Sequence, residues 1–210
     1  MHYLCSPIII PFEDYAKEND LQTYAKYNDS YTNIVFAGRI APNKKQEDVI
    51  GAFYLYKKYF NPKSRLILVG NYSETDLYYR KLKTYVDELG VEDVVFTGHI
   101  SFSAILSCYK VADVFVCMSE HEGFCIPLLE AMNFEKPIIA YAAAAVPETM
   151  GPGTFVMQNK DLMEVAGAID YLVQHPEIQA QLVANQNERL ADFSEEKVEA
   201  RFVELMEKII

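Results

Sequence analysis

From Asn33 onward the chain alternates short, uniformly apolar runs with longer segments of helical periodicity, and this alternation restricts its fold more than any other feature. Asn33–Ala37 (NIVFA), Arg65–Val69 (RLILV), Asp93–Phe96, Val114–Cys117, Pro137–Tyr141 (PIIAY) and Thr154–Met157 carry little polar alternation. A strand with one solvated face reads apolar–polar–apolar, whereas one covered on both faces reads as a continuous apolar run. Between these runs lie helix-length stretches. Lys45–Tyr59 places Val49, Ala52, Phe53 and Tyr56 on one face, and Ser73–Leu89 ends at Gly90, a suitable C-terminal cap. Ser103–Tyr109 and Ile126–Asn133 follow, with Pro127 tolerated in a first turn, and then Asp161–Gln174, Pro176–Ala191 and Glu195–Lys208. Strand–helix alternation of this kind specifies a doubly wound parallel sheet, a Rossmann-like α/β fold. Right-handed crossovers place the strand C-terminal ends, and any ligand, along one edge.

The first thirty residues differ. Met1–Phe12 is expected to be extended, Glu13–Lys26 helical and Asn28–Thr32 a polar turn, so residues 1–30 read as a connector and 31–210 as the domain. Nineteen Lys and Arg against thirty Asp and Glu leave a formal charge of −11, which argues against a nucleic acid or an anionic membrane face as partner. Apolar runs such as Cys5–Phe12 fall well short of the ~20 residues that span a bilayer. No basic segment followed by an apolar stretch opens the chain, and a cytoplasmic location is expected. Cys5, Cys108, Cys117 and Cys125 form no Cys-x-x-Cys pair and read as free thiols in a reducing compartment, too scattered for zinc.

Several familiar chemistries lack their residues. There is no G-x-x-x-x-G-K-[ST] loop, no G-x-G-x-x-G fingerprint, no D-x-D pair and no G-x-S-x-G elbow. What remains are three constellations at expected strand ends. In the first, Gly38, Arg39 and Lys44 follow the first strand: a permissive backbone, a planar guanidinium fork and a mobile ammonium that together can hold a diphosphate. Solvated surface charge fits the same spacing. In the second, Glu122, Gly123 and Phe124 follow the fourth strand and lead into a helix carrying Glu130. Backbone N–H groups opening a helix favour anions, and two carboxylates eight residues apart can flank one ligand. A helix-start acid and a surface acid fit as well, although Leu128, Leu129, Ala131 and Met132 suggest partial burial of Glu130. The third is Pro147-Glu148-Thr149, alone only a turn with a helix N-terminal acid. His121, beside the motif acid, reads as a loop-packing residue rather than a general base, and the helically spaced tyrosines read as packing.

Taken in order, G-R-x4-K, E-G-F-x-x-P-L-L-E-A-M and A-V-P-E-T resemble the C-terminal domain of retaining, nucleotide-sugar-dependent glycosyltransferases of the GT-B fold, the group 1 family. The resemblance runs from about Tyr31 to Ile210, and Glu122 and Glu130 meet the family's E-x7-E motif. It implies that Arg39 and Lys44, with Gly38 and the amides of Gly123 and Phe124, hold the donor's diphosphate. It further implies that Glu122 contacts the sugar and is the catalytic residue of the set, that Glu130 binds the ribose hydroxyls, and that Gly98, His99 and Ile100 meet the base. No cofactor and no metal are implied.

The resemblance also implies a parent glycosyltransferase, of the hexosyltransferase type, that moves a sugar from a nucleoside diphosphate to a hydroxyl acceptor in cell-surface polysaccharide or glycolipid synthesis. That parent would be cytoplasmic, peripheral at the inner face of the membrane, with an acceptor-binding N-terminal domain that this sequence lacks. This chain alone would then be inactive or weakly active. Two departures stand out: Cys125, and Ala143 with Ala144, occupy positions where the family commonly has glycine. Two other readings stay open, a stand-alone nucleotide-sugar-binding module and a GT-B-related sugar-nucleotide epimerase; G-R-x4-K with E-x7-E favours a transferase over the epimerase.

Overall fold

Six strands, all parallel, form one sheet: β1 (Thr32–Ala37), β2 (Ser64–Val69), β3 (Val94–Phe96), β4 (Val114–Cys117), β5 (Ile138–Tyr141) and β6 (Val156–Met157), in the order β3-β2-β1-β4-β5-β6. The computed structural model describes residues 10–16 and 19–207. The chain leaves β1 outward to β3, then returns to lay β4 against the other side of β1. Because right-handed crossovers in opposite directions fall on opposite faces, the sheet is covered on both. α2 (Gln46–Tyr59) and α3 (Leu77–Leu89) make the outward crossovers, while α4 (Phe102–Val111) and α5 (Ile126–Asn133) flank β4. α6 (Val146–Met150), α7 (Leu162–Gln174), α8 (Pro176–Leu190) and α9 (Glu195–Glu207) complete the described chain, with α7 packed on α2 and α8 on α5.

The apolar runs are the core. Ile34, Val35, Phe36, Leu66, Ile67, Leu68, Phe115 and Ile139 are all within 1% of complete burial. Each such side chain contributes roughly 1.5–3 kcal/mol relative to exposure. On the α2 face Phe53 and Tyr56 are fully buried, as the helical spacing expects, and truncating Phe53 to alanine would cost about 3–5 kcal/mol.

Element ends differ from the sequence expectation for local reasons. α3 starts at Leu77 instead of Ser73 because Asp76 caps it, accepting from the Tyr78 N–H at 2.8 Å, while Ser73 closes a turn with Asp76. Gly90 takes φ 60 at its C-terminus, the left-handed geometry that favours glycine. Ser101 begins α4 one residue early by accepting from the Ala104 N–H. β3 starts at Val94 because Asp93 has φ 63, and β5 at Ile138 because Pro137 has no N–H for the ladder. β6 has only two residues. Pro147-Glu148-Thr149 lies within the short α6, capped by Gly151, where Glu148 is the expected helix N-terminal acid.

The segment expected as one helix over Glu13–Lys26 is instead a 3₁₀ turn, Phe12–Ala16, and a separate α1 (Leu21–Tyr27) capped by Asp20. Both lie against the domain. α1 packs on α4, Tyr27 is buried, and the buried Asn33 amide donates to Tyr27 O at 2.9 Å and to Val111 O at 3.1 Å. Most of the expected extended stretch Met1–Phe12, together with Cys5 and Lys208, lies outside the described residues. Among the described residues no helix is long and apolar enough to cross a membrane.

Candidate functional site

In an open α/β sheet the crevice at the C-terminal ends of the strands, where the strand order reverses, is the natural ligand site. Here that point lies between β1 and β4. The loops beyond β1, β2 and β3 enclose a cleft of about 320 Å³ whose lining includes Gly38, Arg39, Gly98, His99, Ile100 and Glu130. Six of the residues singled out from the sequence therefore share one cavity, although they span 92 positions of chain from Gly38 to Glu130.

The cleft's floor depends on close backbone approach. A Cβ on Gly70 would stand 2.1 Å from the Gly38 carbonyl oxygen, so the loops beyond β1 and β2 can meet only because residue 70 is glycine. Gln46 secures the Arg39 turn: its side-chain amide donates to Arg39 O at 3.0 Å, and its backbone N–H donates to the Tyr78 hydroxyl at 3.0 Å. The Tyr78 hydroxyl also reaches Glu47. The exposed Arg39 guanidinium has no protein partner among the described residues and is available to an anion.

Lys44 and Glu122 are not apart, as separate diphosphate and sugar roles suggest. The Lys44 ammonium donates to both carboxylate oxygens of Glu122, at 2.6 and 2.7 Å, and the Glu122 side chain is only 7% exposed. Lys44 Cε lies 3.9 Å from where a Cβ on Gly38 would stand, so the pair adjoins the cleft through Gly38. The neighbouring backbone is tied as well. Glu120 N–H donates to Asn43 O at 2.9 Å, and the Asn43 side-chain amide donates to His121 O at 3.0 Å. His121 thus serves the loop through its carbonyl, with its side chain exposed, not through ring packing.

Glu130 is held from two sides. Tyr15 donates to one carboxylate oxygen at 2.7 Å and Tyr109 to the other at 2.6 Å. Burial, then the Glu130 charge, pushes the Tyr109 hydroxyl well above the usual tyrosine range; Tyr15 is raised by burial and by its bond to Glu130. Glu122 and Glu130 do not flank one cavity in this arrangement: Glu130 lines the cleft, while Glu122 is engaged by Lys44.

Gly123 and Phe124 do not open the helix, because α5 begins at Ile126 and its N-cap is Cys125, in left-handed geometry at φ 66. Gly123 is exposed with open space around it, and the Phe124 ring packs edge-on against Phe193 at 5.5 Å. Thr149, in α6, steadies this loop by donating to Phe124 O at 2.5 Å. The cysteines are less scattered than their spacing suggests. Cys117 and Cys125 bring their sulfurs to 3.9 Å, and Glu122 supplies a carboxylate oxygen within 4.8 Å of both. Hydrogen bonding from Cys125 lowers the Cys117 thiol to about 7 and raises that of Cys125. Cys108 is also buried and free, its thiol pushed up to about 12 by burial.

The sequence reading missed Tyr15, Tyr109, Gln46 and Tyr78. Tyr109 carried one signal, a large polar-tipped residue at a buried position on α4, which needs a partner for its hydroxyl. Tyr15 carried none.

Known proteins share this architecture. The family model described as glycosyl transferases group 1 matches residues 17–189. An MMP alpha-(1->4)-mannosyltransferase of Mycolicibacterium hassiacum is 32% identical over 130 residues, covering 60% of this chain and 32% of that protein. A GDP-mannose:cellobiosyl-diphosphopolyprenol alpha-mannosyltransferase of Xanthomonas oryzae pv. oryzae is 29% identical over 78% of this chain and 44% of its own length. The chain thus spans less than half of these relatives. Among solved structures, the C-terminal domain of a glycosyl transferase group 1 family protein from Francisella tularensis superposes with a TM-score of 0.68 at 27% identity, covering 83% of this chain and 92% of that one. An Anabaena protein solved with UDP and glucose has a TM-score of 0.79 at 20% identity over 95% of this chain and 55% of its own, a likeness of fold alone.

Proposed function

The chain belongs to the glycosyl transferases group 1 family, and from that premise we propose that residues 31–210 are the donor-binding half of a retaining glycosyltransferase. The observation that carries the reading is the shared cleft: a guanidinium without a protein partner among the described residues, a three-residue loop and a half-buried carboxylate converge at the switch point of the sheet. These are the groups a nucleoside diphosphate needs. Arg39 faces the diphosphate, Glu130 accepts from the ribose hydroxyls, and Gly98, His99 and Ile100 border the base.

Lys44 has a double duty. As the diphosphate arrives, its ammonium is shared between phosphate oxygens and Glu122, and the carboxylate so released faces the sugar. A carboxylate beside a ring that gains positive charge in the transition state favours that state over the bound substrate. Arg39 and Lys44 supply charge-assisted donors to the diphosphate in place of a metal, so donor binding needs no metal and no other cofactor. In the parent protein, an N-terminal domain joined through the connector at residues 1–30 binds the acceptor and presents its hydroxyl. The mannosyltransferase named for a diphosphopolyprenol acceptor supports a role in cell-surface polysaccharide or glycolipid assembly.

Calorimetric titration with UDP, GDP, ADP and their sugars tests the reading. One nucleoside diphosphate is expected to bind, with no multiple-turnover transfer by the 210-residue chain alone. Absence of binding by every nucleotide would remove the donor role, and sustained transfer would remove the need for a second half.

A further inference from the structure

The donor reading leaves the two sulfurs beneath the Glu122 loop without a role. Cys117 closes β4 and Cys125 precedes α5; they are 2% and 6% exposed, with sulfurs 3.9 Å apart. Cys125 holds φ 66 and ψ 59, a left-handed conformation that glycine adopts freely and a Cβ resists. The resembling family commonly has glycine there. A strained cysteine facing a second cysteine asks for an explanation that packing does not give.

Distance separates the two chemistries open to such a pair. A disulfide needs the sulfurs at about 2.05 Å, a closure of nearly two ångströms inside a buried junction. A tetrahedral cation with bonds of about 2.3 Å to each sulfur needs them about 3.8 Å apart, which is where they already stand. Glu122 completes a third corner, with one ligand atom from each residue within 4.8 Å of the others. We propose that Cys117, Cys125 and Glu122 form a binding site for a thiophilic divalent cation of the zinc class, with the fourth position left to water.

The charge balance permits it. Before binding, the Lys44 ammonium and the Glu122 carboxylate cancel each other beside the two cysteines. On binding, both thiol protons leave to solvent, two metal–sulfur bonds and one metal–oxygen bond form, and no oxidant is required. Two thiolates, one carboxylate, the cation and Lys44 sum to zero, so the occupied junction buries no net charge. The consequence for transfer rests on the donor reading: an occupied site keeps Glu122 from the sugar, so the cation restrains the reaction and is not a cofactor of the diphosphate.

The test is cadmium titration of the reduced 210-residue chain without nucleotide, read by the ultraviolet thiolate-to-cadmium charge-transfer band, with zinc as competitor. The expected result is saturation at one cation per chain, abolished in Cys125→Gly, retained in Cys108→Ser, and weakened at least tenfold in Glu122→Gln. Cys125→Gly relieves the left-handed strain and is expected to fold. A missing band, a band unchanged in Cys125→Gly, or a Cys117–Cys125 disulfide formed in air by a chain that takes up no cation when reduced would overturn the proposal. Because no nucleotide is present, its failure leaves the donor reading standing, and failure of nucleotide binding leaves the cation site standing.

Discussion

Glu130→Gln separates a ribose-binding carboxylate from a structural one. In the wild type two phenols donate to its two oxygens, Tyr15 at 2.7 Å and Tyr109 at 2.6 Å. Glutamine offers a single acceptor oxygen and an NH₂ that repels a third donor. Tyr109 is 1% exposed and cannot turn to water, so it keeps that oxygen, and Tyr15 and the ribose hydroxyls lose theirs. A hydrogen bond to a charged group is worth roughly 1.5–3 kcal/mol, which predicts a ten- to hundredfold loss of nucleoside diphosphate affinity. The same loss to the fold lowers the melting temperature by about 3–12 °C for a domain of this size. Isothermal calorimetry and thermal melts on wild type, Glu130→Gln and Tyr15→Phe read both. Tyr15→Phe is the control: it removes a competitor for the carboxylate, so it should bind nucleotide at least as tightly as wild type. A Glu130→Gln protein whose melting temperature falls while its affinity stays within twofold would refute the assignment of Glu130 to the ribose.

Lys44→Met leaves the buried Glu122 carboxylate unpaired and should cost about 3 kcal/mol by denaturant unfolding, the low end for a broken buried pair because Lys44 is 20% exposed; adding Glu122→Gln should restore part of it. Glu122→Gln alone should leave bare diphosphate binding nearly unchanged while weakening the intact nucleotide sugar, which paired titrations compare. Burial and neighbouring carboxylates raise the hydroxyls of Tyr15, Tyr78 and Tyr109 in the folded state. Their contribution is therefore complete below about pH 10, the unfolded value, and is lost as pH rises beyond it, so melting temperature should fall steeply at alkaline pH and less so in Tyr78→Phe. Chelator should change nucleoside diphosphate affinity by less than tenfold; a larger drop, above about 1.4 kcal/mol, would mean that a metal bridges the phosphates.

The sheet was legible because its strands are buried on both faces, so runs such as Arg65–Val69 and Val114–Cys117 are uninterrupted by solvent-facing residues. The cleft was legible in its parts because Gly38, Arg39 and Gly98 follow strand ends, where ligand groups belong in such sheets. What the order of residues did not disclose was pairing at a distance. Tyr15 and Glu130 are 115 residues apart, and nothing local to either says they meet. The Lys44–Glu122 pair was hidden for the same reason, with each residue assigned its own part of the ligand across 78 positions. The start of α3 turned on a cap: Asp76 outcompetes Ser73 because its carboxylate reaches the Tyr78 N–H. The extent of α6 was not legible beyond the acid at its start, because five residues carry too little periodicity to define a helix.

The two hydrogen bonds through Asn43 carry a consequence for how a ligand would meet this surface. Its carbonyl accepts from the Glu120 N–H and its amide donates to the His121 carbonyl, just ahead of Lys44 in one turn and of Glu122 in the other. The turn after β1 and the turn after β4 are thereby one hinged piece, their relative position settled during folding. A ligand arriving there need not gather two wandering loops, and the loss of freedom on association is confined to the side-chain torsions of Arg39 and Lys44. Asn43→Ala should accordingly loosen the two turns and slow capture only modestly, because the backbone bond from Glu120 to Asn43 O and the Lys44–Glu122 pair still join them and every group that touches the ligand remains.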